Sequence, residues 1–101
     1  MSVRMDKVNS LIKKEVSLVL GRIQDKYLGF LTVLEVETAK DLSNATVWLS
    51  SMEGKTEKEI ASVLKHYNRD IYSHIKKRVP IKRIPHLDFK IDESASVIDK
   101  L

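Results

Sequence analysis

Apolar side chains recur every three or four residues near the start of the chain. Val8, Leu11, Ile12, Val16, Val19, Leu20 and Ile23 fall on one stripe of a helix. Lys7, Lys13, Lys14 and Arg22 lie largely off that stripe, and Gly21 stands where a helix can end. The spacing predicts a first helix over residues 4–22. After the turn-like QDKYLG the period drops to two. In FLTVLEVET (30–38), Leu34 and Val36 alternate with Val33, Glu35 and Glu37, and in ATVWLS (45–50), Ala45, Val47 and Leu49 alternate with Thr46, Trp48 and Ser50. The AKDLSN between them favours a turn, so the two runs predict an antiparallel hairpin.

Thr56 and Glu59 then have the spacing of a capping box, and Ile60, Val63, Leu64, Tyr67, Ile71 and Ile75 continue as a helical stripe. This helical stretch must stop by Val79, because Pro80 disfavours helical geometry in the residue before it. It contains no glycine, and propensity alone leaves one helix or two with a bend equally open. Pro85 opens a last β run, HLDFKI, with Leu87, Phe89 and Ile91 on one side, and Ser94 caps a short terminal helix containing Val97, Ile98 and Leu101. The order α-β-β-α-α-β predicts an α+β domain over residues 1–101, a three-stranded sheet packed by helices.

Charge changes this picture more than composition does. Hydrophobic content of 43% and 32% charged residues describe an ordinary folded chain. Residues 65–83 hold seven Lys or Arg (Lys65, Arg69, Lys76, Lys77, Arg78, Lys82 and Arg83) against one acid, Asp70, for a net +6. The whole chain is only +4, so everything outside the segment sums to −2. Charge concentrated in this way attracts a polyanion, and nucleic acid is the commonest. A helix dipole explains Lys76, Lys77 and Arg78 at a helix C-terminus but leaves Lys82 and Arg83 unexplained. If 65–78 is helical, Lys65, Arg69 and Lys76 lie near one face with Asn68 and Tyr72 close by, where His74 too is placed to bond or stack against RNA. Tyr67 belongs to the core stripe.

Other chemistries find little support. With no cysteine there are no disulfides, thiolate nucleophiles or Cys-ligated metals. His66 and His74 are eight apart, about 80° from sharing a helical face, so the histidines (with His86) read as solvent-facing neighbours of the basic patch. The only glycines are Gly21, Gly29 and Gly54, too few and too scattered for a phosphate-cradling loop. Glu35 and Glu37 share a strand face, without a neighbouring group to make them an acid–base pair. No enzyme, metal, cofactor or small-molecule substrate is expected. The chain has no apolar run long enough to span a membrane and no secretory signal at its N-terminus, and it reads as cytosolic.

The hairpin with Asp41, Leu42, Ser43, Ala45 and Val47, followed by Pro85, Leu87, Phe89 and Asp92 at the last strand, resembles the ribosome-binding factor A family of bacterial assembly factors. The resemblance covers nearly the whole chain, in order and spacing. It implies a type II K-homology fold, α-β-β-α-kink-α-β. It also implies a cytoplasmic, non-catalytic partner of the small ribosomal subunit that assists late maturation of precursor 16S ribosomal RNA, above all in the cold. The chain departs from the family pattern in two places: Tyr67, Asn68 and Arg69 stand where the family keeps Ala-x-Gly at its kink, and the basic C-terminal tail of some members is expected to be absent.

The resulting expectation is a monomeric RNA-binding factor that uses Lys65, Asn68, Arg69, Tyr72, Lys76, Lys77, Arg78, Lys82 and Arg83, helped by Lys13 and Lys14. The rival expectation is a protein-interaction module docking through its sheet edge or the Trp48 face.

Overall fold

The computed structural model describes residues 2–23 and 25–92, with the backbone alone described for residues 2–4. The expected terminal helix after Ser94 lies outside the described residues. Six elements follow in the expected order: α1 (Ser2–Arg22), β1 (Leu31–Thr38), β2 (Asn44–Ser51), α2 (Glu57–His66), α3 (Asn68–Arg78) and β3 (His86–Ile91). The sheet runs β1-β2-β3, with β1 antiparallel to β2 and β3 parallel to β2. A parallel pair needs a crossover connection, and α2 with α3 supplies it.

The helices cover one face of the sheet. Ile12, Val16, Val19 and Leu20 of α1, Ile60 and Leu64 of α2, and Ile71 and Ile75 of α3 bury their side chains against Ala45, Val47, Leu49 and Leu87. Thr46, Trp48 and Ser50 form the other face of β2 and are half-buried. The Trp48 indole N–H donates to Glu37 Oε1 across the β1–β2 pair at 2.8 Å.

The first strand corrects the sequence reading. Strict alternation pairs Leu34 with Val36, whereas the structure buries Val33 and Val36, three residues apart. A bulge resolves the mismatch: Val33 pairs with Leu49 and Glu35 with Trp48, leaving Leu34 as the extra residue. One inserted residue shifts the phase of a strand by one position, so two valines three apart both reach the core.

Helix α2 starts as its sequence predicts. Thr56 Oγ1 accepts the Glu59 N–H at 3.1 Å, while Glu59 Oε1 accepts the Thr56 N–H at 2.8 Å. The helical run then breaks at Tyr67 (φ −97°, ψ 10°), and α3 begins immediately after it. Those angles lie in a region open to any L-residue, so the break needs no glycine. Gly29 is different. Its φ of 67° lies in the left-handed region that favours glycine, and an added Cβ would press on the exposed Glu53 side chain, which would have to shift.

Ile71 is fully buried in the core beneath α3. Ile71→Ala is expected to cost about 2–5 kcal/mol, read as a lower urea midpoint with an unchanged slope.

Candidate nucleic-acid interface

Helix α3 is fixed from three sides, and its fixed side chains decide which cations face solvent. Ile71 and Ile75 anchor it to the core. On one flank the Tyr72 hydroxyl accepts the Leu87 N–H at 2.6 Å, joining α3 to the start of β3. Burial pushes the Tyr72 phenol above its usual value of 10.0, with the Leu87 bond acting in the opposite sense. Tyr72 is therefore a strut between helix and strand.

On the other flank His74 corrects the expectation of a solvent-facing ring. Its side chain is 11% exposed, and Nε2 lies 2.8 Å from Oε1 of Glu15, itself 10% exposed. Arg22 Nη2 lies 2.6 Å from the other ring nitrogen, Nδ1. Guanidinium nitrogens only donate, so Nδ1 must accept and Nε2 must carry the hydrogen given to Glu15. This donor order joins Glu15, His74 and Arg22 in one hydrogen-bonded relay. Glu15 sits three residues after Ile12, at the edge of the α1 stripe, and that position was the one sequence signal of its burial.

Tyr67 secures the junction between α2 and α3. Its hydroxyl donates to Asp25 Oδ2 at 2.9 Å, and Asp25 Oδ1 accepts the N–H groups of Tyr27 and Leu28 at 2.9 and 3.2 Å. The junction is thus tied to the α1–β1 loop. The Tyr67 bond, followed by the Leu28 bond, holds the Asp25 carboxyl below its usual 3.8. The same contact raises the Tyr67 phenol above 10.0.

With these groups turned inward, Asn68, Arg69, Lys76, Lys77 and Arg78 of α3 are exposed, as are Lys65 on α2 and Lys82 and Arg83 on the loop to β3. Asp41, held below its usual 3.8 chiefly by its bonds to Ser43, also feels the charge of Arg83. The patch has two flanks. Arg69 and Lys76 follow the spacing of Tyr72, on the side of β3, whereas Lys77 and Arg78 border a cleft shared with Arg22 of α1. Lys14 is exposed on α1, and Lys13 lines a groove with Asp6 and Glu35 by β1, so Lys13 is not brought to the α3 surface. Sequence reasoning missed Arg22, which lies fifty-two positions from its partner His74. Among the described residues no cluster of three or more His, Cys, Asp or Glu is arranged to hold a metal, and no helix is long and apolar enough to cross a membrane.

A three-stranded sheet backed by a helix and a broken helix pair, in this order and with this strand pairing, defines the type II K-homology-like class. The crystal structure of ribosome-binding factor A from Thermus thermophilus shares this fold, with a TM-score of 0.74 over 84% of this chain and 92% of that one at 24% identity. A second set of coordinates, a homology model of the Thermus thermophilus factor fitted into a cryo-electron microscopy map of a 30S complex, aligns with a TM-score of 0.70 at 23% identity, covering 85% of this chain and 92% of that one. Sequence carries the relationship further. The model of the family described as ribosome-binding factor A matches residues 4–101. A ribosome-binding factor A from Neisseria gonorrhoeae is 37% identical over 92 residues, spanning 90% of this chain and 75% of that protein. The chain belongs to the ribosome-binding factor A family.

The Asp25 contact makes a pH prediction. A carboxyl whose value is lower in the folded than in the unfolded protein stabilises the fold fully above about pH 4, and this contribution is lost as pH falls through the folded value. Asp25→Asn should therefore lower the thermal midpoint at pH 6, with the gap to the parent protein narrowing as pH falls below 4. A gap independent of pH would contradict the assignment.

Proposed function

We propose that this protein is a non-catalytic assembly factor of the small ribosomal subunit, acting as a monomer in the cytoplasm. It binds precursor 16S ribosomal RNA during late maturation and assists its processing, with the greatest need in the cold. Membership of the family supports ribosome binding, and a family relative has been fitted as part of a 30S complex. The observation that carries the RNA reading is the concentration of exposed charge on α3 and its exit: Arg69, Lys76, Lys77, Arg78, Lys82 and Arg83 are exposed together, with Lys65 at the end of α2. Mechanistically the protein holds one RNA conformation by charge and shape, with no bond broken. RNA folding has many competing pairings, and a factor that favours one of them is most useful where escape from the others is slow, as at low temperature.

The rival reading, docking through Trp48, has weaker support. The indole N–H is already committed to Glu37 and the ring is half-buried.

Reversing the charge of Lys76, Lys77 and Arg78 together should abolish co-sedimentation with small subunits. Each of the three is exposed, and exchanging an attraction to the helix dipole for a repulsion costs up to about 2 kcal/mol apiece, so circular dichroism must show the variant folded before its binding is compared. Affinity of the parent protein should fall steeply with salt, by a log–log slope of roughly −0.7 to −0.9 per phosphate contacted. Normal co-sedimentation of the triple variant at physiological salt would refute the surface assignment.

A further inference from the structure

Between the end of α1 and α3 lies an open cleft of about 560 Å³, within the range of roughly 300–1,000 Å³ typical of small-molecule sites. Its lining joins two chemistries. Val19, Ile23 and Tyr67 give it an apolar part, and Arg22, Lys77 and Arg78 give it a cationic rim, with Asp70 as the one acid among them. An apolar groove alone suits a hydrophobic side chain, and a cation cluster alone suits any phosphate. The combination within one small cleft suits a flat base joined to a phosphate.

Two of these groups are held in place before anything binds. The Tyr67 ring is tethered through its hydroxyl to Asp25. Arg22 is held by His74, which is held in turn by the buried carboxylate of Glu15. His74 takes one of the five guanidinium N–H groups, which leaves Arg22 with donors for a further acceptor. A group fixed in advance loses less freedom when its ligand arrives. Asp70 repels phosphate from its own part of the rim and can accept a base N–H.

We infer that this cleft takes one unpaired nucleotide of the bound RNA, its base against Val19, Ile23 and Tyr67 and its phosphate on Arg22, Lys77 and Arg78. The inference rests on the RNA-binding reading above and adds a preference to it. Bases inside a continuous duplex are stacked and cannot enter, so the protein should favour RNA that presents an unpaired residue.

The test compares two RNA hairpins of matched length and charge, one uninterrupted and one carrying a single bulged 2-aminopurine nucleotide. The full chain should bind the bulged hairpin about tenfold more tightly, with a change in 2-aminopurine emission. Ser73 lines the cleft and is exposed, so Ser73→Trp fills the space while leaving every cation in place. This variant should retain duplex affinity and lose both the preference and the emission change. Arg22→Gln, which keeps the space open, should reduce the preference severalfold and serves as the second variant. Equal affinity of the parent protein for both hairpins, or a preference that survives Ser73→Trp, overturns the cleft assignment and leaves RNA binding intact. Failure to bind either hairpin at low salt overturns both readings. Saturable binding of adenosine monophosphate alone, blocked by Ser73→Trp and unaccompanied by a hairpin preference, would assign the cleft to a free nucleotide and overturn the inference.

Discussion

The parallel pairing of β3 with β2 constrains everything that lies between them. The chain must leave one end of the sheet, return along it and re-enter at the other end, burying apolar surface on the way. An unbroken helix from Glu57 to Arg78 would run about 33 Å. Strands of eight residues span only about 27 Å, less where they twist. A straight run of that length would overshoot the strands by about one helical turn, 5.4 Å. The break at Tyr67 meets this constraint, and the bond from Tyr67 to Asp25 ties it to the loop leaving α1.

The same break sets out the candidate surface. It gives α3 a direction of its own, held by two isoleucines beneath, Tyr72 on one flank and His74 on the other. Once those four positions are committed, the remaining positions of an eleven-residue helix are solvent-facing, and five of them are Asn68, Arg69, Lys76, Lys77 and Arg78. The buried Glu15 would be costly by itself, but His74 satisfies it and extends the connection outward to Arg22. One chain of hydrogen bonds thus runs from the helix interface to the rim of the cleft.

Much of this was legible in the sequence. The α1 stripe, the hairpin, the capping box, the stop before Pro80 and the alternation of β3 all rest on local periodicity or local sterics, and the structure bears each of them out. What escaped depends on distant partners. The bulge at Leu34 is set by the pairing of Val33 with Leu49 and Val36 with Val47, which no single strand displays. His74 looked solvent-facing because Glu15 lies fifty-nine positions away. The break at Tyr67 carries no glycine because its dihedral angles ask for none, and its tether, Asp25, is forty-two positions distant. The concentration of charge in 65–83 was plain, but its division into a β3 flank and an α1 flank required the packing of α3.

In the proposed role, the exposed charge attracts RNA and the groups around α3 orient it. The most direct test is site-specific photocrosslinking within the assembling small subunit. A photoreactive residue would be placed in turn at Arg69, at Lys77 and, as a control on the opposite face of the sheet, at Thr46. The account predicts ribosomal RNA adducts from Arg69 and Lys77 and few or none from Thr46. RNA adducts confined to Thr46, or only protein adducts from all three positions, would contradict it.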